Sequence, residues 1–202
     1  MSAIDKAIAS VTPPVSPEKR AEAHAEARAA ATPGDWLSLI LDHHEMIERA
    51  FETLKSATTV ETRRAAEKRL GTLLTGHSMA EEAVVYPALA HAGHKISADM
   101  AYAEQVAAKM QMAALERMDP FSQDYIDKLG HLEGAVLTHV YEEEKMRFVQ
   151  LREDAPLADQ QMVTARYKEE FERYMGSDSG EDRATATAIA GAEARSFAPG
   201  PG

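Results

Sequence analysis

The segment Leu70-Gly71-Thr72-Leu73-Leu74-Thr75-Gly76-His77-Ser78-Met79-Ala80-Glu81-Glu82-Ala83-Val84 spaces its apolar residues as a helix does, not as a strand does. With about 100° of rotation per residue, Leu70, Leu73, Leu74 and Val84 fall on one face, and Ala88 extends it. His77 and Glu81 lie on that same face about one turn apart, so an imidazole and a carboxylate point the same way. Glu82 points away. The pattern recurs at His139–Glu143, where Leu132, Val136, Met146 and Gln150 share the face and Glu144 points away. Two such helices facing each other predict a helical bundle with imidazoles and carboxylates inside it.

Composition supports an all-α reading. Of 202 residues, 45% are apolar, largely helix-forming Ala, Leu and Met, and only 6% are aromatic. No run alternates Val, Ile and Thr, so no sheet is expected. Cysteine is absent, which excludes disulfides, thiol catalysis and iron–sulfur ligation and leaves N/O donors for any metal. A net charge of -11 disfavours nucleic acid or an anionic membrane as partner. With neither an apolar leader nor an apolar run of membrane-spanning length, a cytoplasmic location is the expectation.

Residues 1–34 read as a leader and a helical extension that opens at Ser16-Pro17-Glu18, an N-cap followed by proline. Thr32-Pro33-Gly34-Asp35 breaks that extension. Residues 35–154 read as an up-down antiparallel four-helix bundle, with helices expected over about 35–56, 60–92 (kinked at Pro87), 96–118 and 122–154. Residues 155–175 supply a further C-terminal helix. From Gly176 the composition turns to Gly, Ser, Asp and Ala, as in a disordered tail.

On the first bundle helix, Trp36, Leu39, Ile40, Ile47, Ala50 and Leu54 cluster around His43, which is therefore the expected inward residue. His44 falls at the edge of the stripe and reads as a surface pair with Glu48. His24, His91, His94 and His131 read as solvated or capping residues. One His-x-x-x-Glu is an ordinary surface contact. Two carboxylates in one core are another matter, because burying unpaired charge is costly. Divalent cations compensate for it, and five inward donors (His43, His77, Glu81, His139 and Glu143) exceed what one ion needs. A pair of first-row metals such as iron fits that inventory. No histidine has Glu three residues before it, which argues against ferritin-like di-iron bundles.

The stretches Leu41-Asp42-His43-His44, His77-Ser78-Met79-Ala80-Glu81-Glu82 with Val85-Tyr86-Pro87, and His139-Val140-Tyr141-Glu142-Glu143-Glu144 resemble the hemerythrin family, in particular bacterial proteins with a hemerythrin HHE cation-binding domain. The likeness covers about residues 35–154. It implies a centre of two non-haem irons, oxo- or hydroxo-bridged. His43 and His77 would hold one ion, His139 the other, and Glu81 and Glu143 would bridge. The family's third helix usually adds a histidine after a glutamate. Here Glu104 is followed by Gln105, and no histidine lies between His94 and His131. Gln105, Tyr102 and Glu104 are the candidates for that role, and periodicity does not choose because this helix is apolar almost all round.

The resemblance implies that the protein binds or senses a small diatomic ligand or peroxide (O2, NO or H2O2). The alternative is a di-iron redox enzyme acting on peroxide or O2, peroxidase- or catalase-like, or an oxygenase. No nucleic-acid or membrane partner is expected, and a homo-oligomer stays open.

Overall fold

A computed structural model describes residues 15–175; the expected leader up to residue 14 and the expected tail from Gly176 lie outside the described residues. All regular structure in that range is helical: α1 (Pro17–Ala30), α2 (Trp36–Ser56), α3 (Val60–Ala80), α4 (Tyr86–His91), α5 (Lys95–Leu115), α6 (Gln123–Glu142), α7 (Phe148–Asp154) and α8 (Leu157–Met175). No helix among these residues is long and apolar enough to cross a membrane. Local chemistry sets the starts. Ser16, Asp35 and Ser122 cap α1, α2 and α6 by accepting from backbone N–H groups, and Thr59 and Thr62 form a reciprocal capping box for α3. Gly93, at φ +102°, ends α4 in a conformation that side chains rarely adopt.

Two of the expected helices are not continuous. Each is interrupted by a five-residue π segment, Glu81–Val85 between α3 and α4 and Glu143–Arg147 between α6 and α7. Both segments begin at the glutamate of a His-x-x-x-Glu pair, and each is closed by an i→i−5 bond, Tyr86 N–H to Glu81 O and Phe148 N–H to Glu143 O. The irregularity expected at Pro87 thus lies one turn earlier. Such single-turn widenings accompany functional sites more often than ordinary helix does.

The apolar interior is split in two. One cluster gathers Trp36, Ile40, Leu41, Ala80, Val84, Tyr86, Ala98, Ala101 and Phe148. The other gathers Ile47, Phe51, Leu70, Leu73, Met112, Leu115, Val136 and Val140. Each of α2, α3–α4, α5 and α6–α7 crosses from one cluster to the other, and at the crossing it presents polar groups: His44, then His77 and Glu81, then Gln105, then His139 and Glu143. A polar belt therefore separates two apolar layers. Helix α8 packs along α2 and α3. Its Phe171 is the one partly buried apolar residue, among those described, that touches both clusters.

Candidate metal centre

Helix α2 brings His44, not His43, into the belt. His44 is 2% exposed, and its Nε2 lies 3.5 Å from Glu143 Oε2. The expected surface pair with Glu48 is absent. His43 stands on the neighbouring flank under α8, where its ring stacks on Phe171 at 3.6 Å between centroids and its Nδ1 meets the Tyr167 hydroxyl at 2.8 Å. The apolar stripe around His43 marks all of the covered surface of α2, including the part covered by α8. The direction towards the belt is only one edge of that stripe.

His77, Glu81, His139 and Glu143 are all buried in the belt. His77 Nε2 lies 3.2 Å from Glu81 Oε2, and His139 Nε2 lies 3.3 Å from Glu143 Oε1. Each histidine is anchored from behind. His44 Nδ1 contacts Glu144 Oε1 at 2.7 Å, His77 Nδ1 contacts the Tyr167 hydroxyl at 3.3 Å, and His139 Nδ1 contacts Glu104 Oε2 at 2.7 Å. An ionised carboxylate only accepts, so the Nδ1 atoms of His44 and His139 carry protons. That fixes the ring orientation and sends Nε2 inward. Tyr167 completes a chain by accepting from His77 and donating to His43, whose pKa burial lowers to about 3 so that it stays neutral.

The third-helix candidates separate clearly. Tyr102 donates to the Glu82 backbone carbonyl at 2.7 Å and does not enter the belt. Glu104 stands behind His139, where Arg147 clamps it with two bonds of 2.8 and 2.9 Å. Burial raises the Glu104 pKa, but the bonds from His139 and Arg147 outweigh it and hold the carboxyl at about 2. Gln105 alone faces the belt. Its amide donates to Glu81 Oε2 at 2.6 Å and to the Tyr86 hydroxyl at 2.5 Å, leaving its own Oε1 unpartnered.

Motif reading missed Tyr86, Tyr167, Glu144, Arg147 and His24. In regular helix, position 86 rotates off the face of Glu81; across a π turn, the residue five positions on is brought back over it. Tyr86 thereby places its hydroxyl 2.7 Å from Glu143 Oε1, 3.3 Å from Glu81 Oε2 and 3.3 Å from His139 Nε2. Glu144, expected to point away, is buried between His44 and His24, whose Nδ1 lies 3.0 Å from it. Burial raises the Glu144 pKa, but the two imidazoles outweigh it and hold it at about 2. Tyr167 belongs to a helix with no motif of its own.

What this arrangement can do follows from atoms without partners. His44 Nε2, His77 Nε2, Glu81 Oε1 and Glu143 Oε2 are fully buried and have no hydrogen-bond partner. Leaving even one such group unmade costs about 1–3 kcal/mol. One donor atom from each of these four residues lies within 4.8 Å of the others. Two donors on one ion are at most roughly 4 Å apart when each bond is about 2 Å, so a slight contraction closes the set on a cation. Burial and the Glu143 charge push the Glu81 carboxyl well above the usual range. Burial pushes Glu143 the same way, but His139, His44 and Tyr86 outweigh it and lower its pKa. His77 is driven well below its ordinary value by burial and by the other histidines. Against burial, His44 is raised to about 10 by Glu143 and Glu144. A cation would relieve all of these conflicts together.

Comparison with known proteins agrees with the geometry. No individual curated protein and no solved structure matches the chain. A family model does match, that of the hemerythrin HHE cation binding domain, over residues 37–176, from α2 through α8. The bundle with its His/Glu belt is that domain, and the chain belongs to the hemerythrin HHE cation-binding family.

Proposed function

We propose that the belt holds iron and that the iron binds or senses a small ligand such as O2, NO or peroxide. The observation that carries this reading is the set of inward, unpartnered donors, His44 Nε2, His77 Nε2, Glu81 Oε1 and Glu143 Oε2. They would hold one ion. His139, together with the same two carboxylates, would hold a second. The four helices that cross the belt are read as the up-down bundle of the family. When bound, iron supplies an electrophilic, redox-active position for the small ligand. The chain does the rest: Glu144, Tyr167 and Glu104 hold each imidazole with Nε2 inward, the Tyr86 hydroxyl donates to Glu143, and the two apolar layers flank the belt on either side.

Metal analysis of the purified protein, with optical spectra taken anaerobically and after O2, H2O2 or NO, tests the reading. About two irons per chain and a ligand-dependent spectrum are expected. Zinc alone after growth on sufficient iron, or a spectrum indifferent to all three ligands, overturns it.

The redox-enzyme reading, catalase- or peroxidase-like, draws on Gln105. A carboxamide is a weak donor where the family usually has a histidine, so it leaves a position open for peroxide. Gln105→His should bind iron more tightly and turn over peroxide more slowly. Unchanged affinity and rate would remove Gln105 from the centre.

A further inference from the structure

Beside the belt, between α2, α3, α5 and α6, lies a cavity of about 200 Å³. Its walls are apolar: Ile47, Leu74, Met112, Val136 and Val140. Its inner end is polar and belongs to the belt, where His77, Gln105 and His139 border it. Its outer end reaches the surface at the exposed Thr75, Ala113 and Glu116. The cavity therefore runs from solvent to the candidate metal centre.

Size, polarity and charge select its guest. A water takes about 30 Å³ of liquid volume, and an apolar cavity of about 150 Å³ accepts benzene. A diatomic gas would leave most of this space unfilled. Between mouth and inner end the polar lining residues are Ser78 and Lys109, which already donate to the Thr75 carbonyl and to Glu82, so a strongly polar guest would recover little of its lost hydration. A charged guest fares no better. Among the described residues at the wall, Lys109 is the only lysine or arginine and its ammonium is held by Glu82 Oε1 at 2.6 Å, while the only carboxylate is that of Glu116, at the exposed mouth. At the inner end, the Gln105 Oε1 atom is buried without a partner and offers one acceptor.

We infer that the cavity is a binding pocket for a neutral, mainly apolar molecule larger than a diatomic gas, up to a single aromatic ring, seated with its inner end against His77, Gln105 and His139. Such a guest sits beside the belt and screens what reaches it. The functional sense of that screening rests on the metal reading above; binding of the guest does not.

Toluene is the probe, followed by amide chemical shifts in the metal-free and the iron-loaded protein. Saturable binding is expected in both, with the largest shifts in α3, α5 and α6 around His77, Ala108 and Val136. Ala108→Phe fills the cavity from α5 and should weaken toluene at least 10-fold without loss of iron. Ala113→Phe, at the exposed mouth, makes the same test should Ala108→Phe misfold. Benzoate, the same ring with a charge, should bind at least 10-fold more weakly than toluene. Non-saturable partitioning, saturable binding that neither variant weakens, or benzoate binding as well as toluene would overturn the proposal. Toluene binding in a protein that takes up no iron would support the pocket and sink the metal reading alone.

Discussion

His77–Glu81 and His139–Glu143 occupy equivalent turns, each leading into a π segment, yet their carboxylates are pushed in opposite directions. Glu81 meets mostly neutral groups: His77, the Gln105 amide and the Tyr86 hydroxyl. The hydrogen bonds from Tyr86 and Gln105 and the His44 charge are too little to offset its burial and the Glu143 charge, so the neutral form is favoured. Glu143 sits between His139, His44 and Tyr86, and that company keeps it ionised. The supports differ in the same sense. His77 leans on a neutral tyrosine from α8, whereas His139 leans on a Glu104–Arg147 ion pair in which Arg147 is 1% exposed. One motif thus yields two half-sites, one poised to lose a proton when a cation arrives and one already charged to receive it.

Removing a carboxylate is the largest way to break this contrast. Glu81→Ala and Glu143→Ala should each remove most of the iron, and with it the stability that binding contributes, because metal binding and folding are linked. Metal content together with melting temperature reads this, and full iron in either variant would refute the placement. The milder Gln substitutions separate the halves. In the metal-free protein Glu143→Gln should lower stability by about 1–3 kcal/mol as its charged hydrogen bonds are lost, and Glu81→Gln should change it far less. Equal effects by denaturant titration would erase the contrast.

Next comes the ion pair behind His139. Arg147→Met strands Glu104 and should cost about 1–3 kcal/mol, a drop of several degrees in melting temperature. Among the supports, Glu104→Gln should weaken metal affinity about 10–100-fold, and Tyr167→Phe by less, since the latter removes a neutral contact of 3.3 Å. Competition with a chelator ranks them, and the reverse order would show that charge behind the imidazole does not matter.

The smallest expected effect is in acid. Glu104 and Glu144 have folded pKa values of about 2, depressed from 4.5. Their contribution is therefore complete above about pH 4.5 and lost as pH falls from there towards 2. The stability gap between wild type and Glu104→Gln should accordingly close across that window. A gap that persists unchanged at about pH 2 would mean that Glu104 stabilises without its charge.

Much of this arrangement is legible in the chain. The cap at Ser16, the break at Thr32-Pro33-Gly34-Asp35, and the stripes around His77 and His139 place the helices and bury the four motif residues, because those signals are local. His43 and His44 are not resolved in this way. One residue of rotation separates them, and only the docking of α8 reveals which flank of α2 faces the belt. Tyr86 escapes for a different reason: a regular helical wheel has no place for the extra residue of a π turn. Arg147 and Glu104 are adjacent only in space, across α5 and the second π segment, and neither carries a periodic signal.

The division of the interior has a consequence for cooperativity. An uninterrupted core unfolds as one unit because each apolar contact supports the next. Here the two layers are separated by groups that, with no ion present, repel or lack partners, and Phe171 is the partly buried apolar residue, among those described, that reaches both. Loss of the ion should therefore show first as an uncoupling of the layers, with hydrogen exchange around Leu41 and around Leu70 reporting separate opening free energies. With the centre filled, both layers should open together in a single transition, and the ion would act as the keystone between two halves that the chain alone only loosely joins.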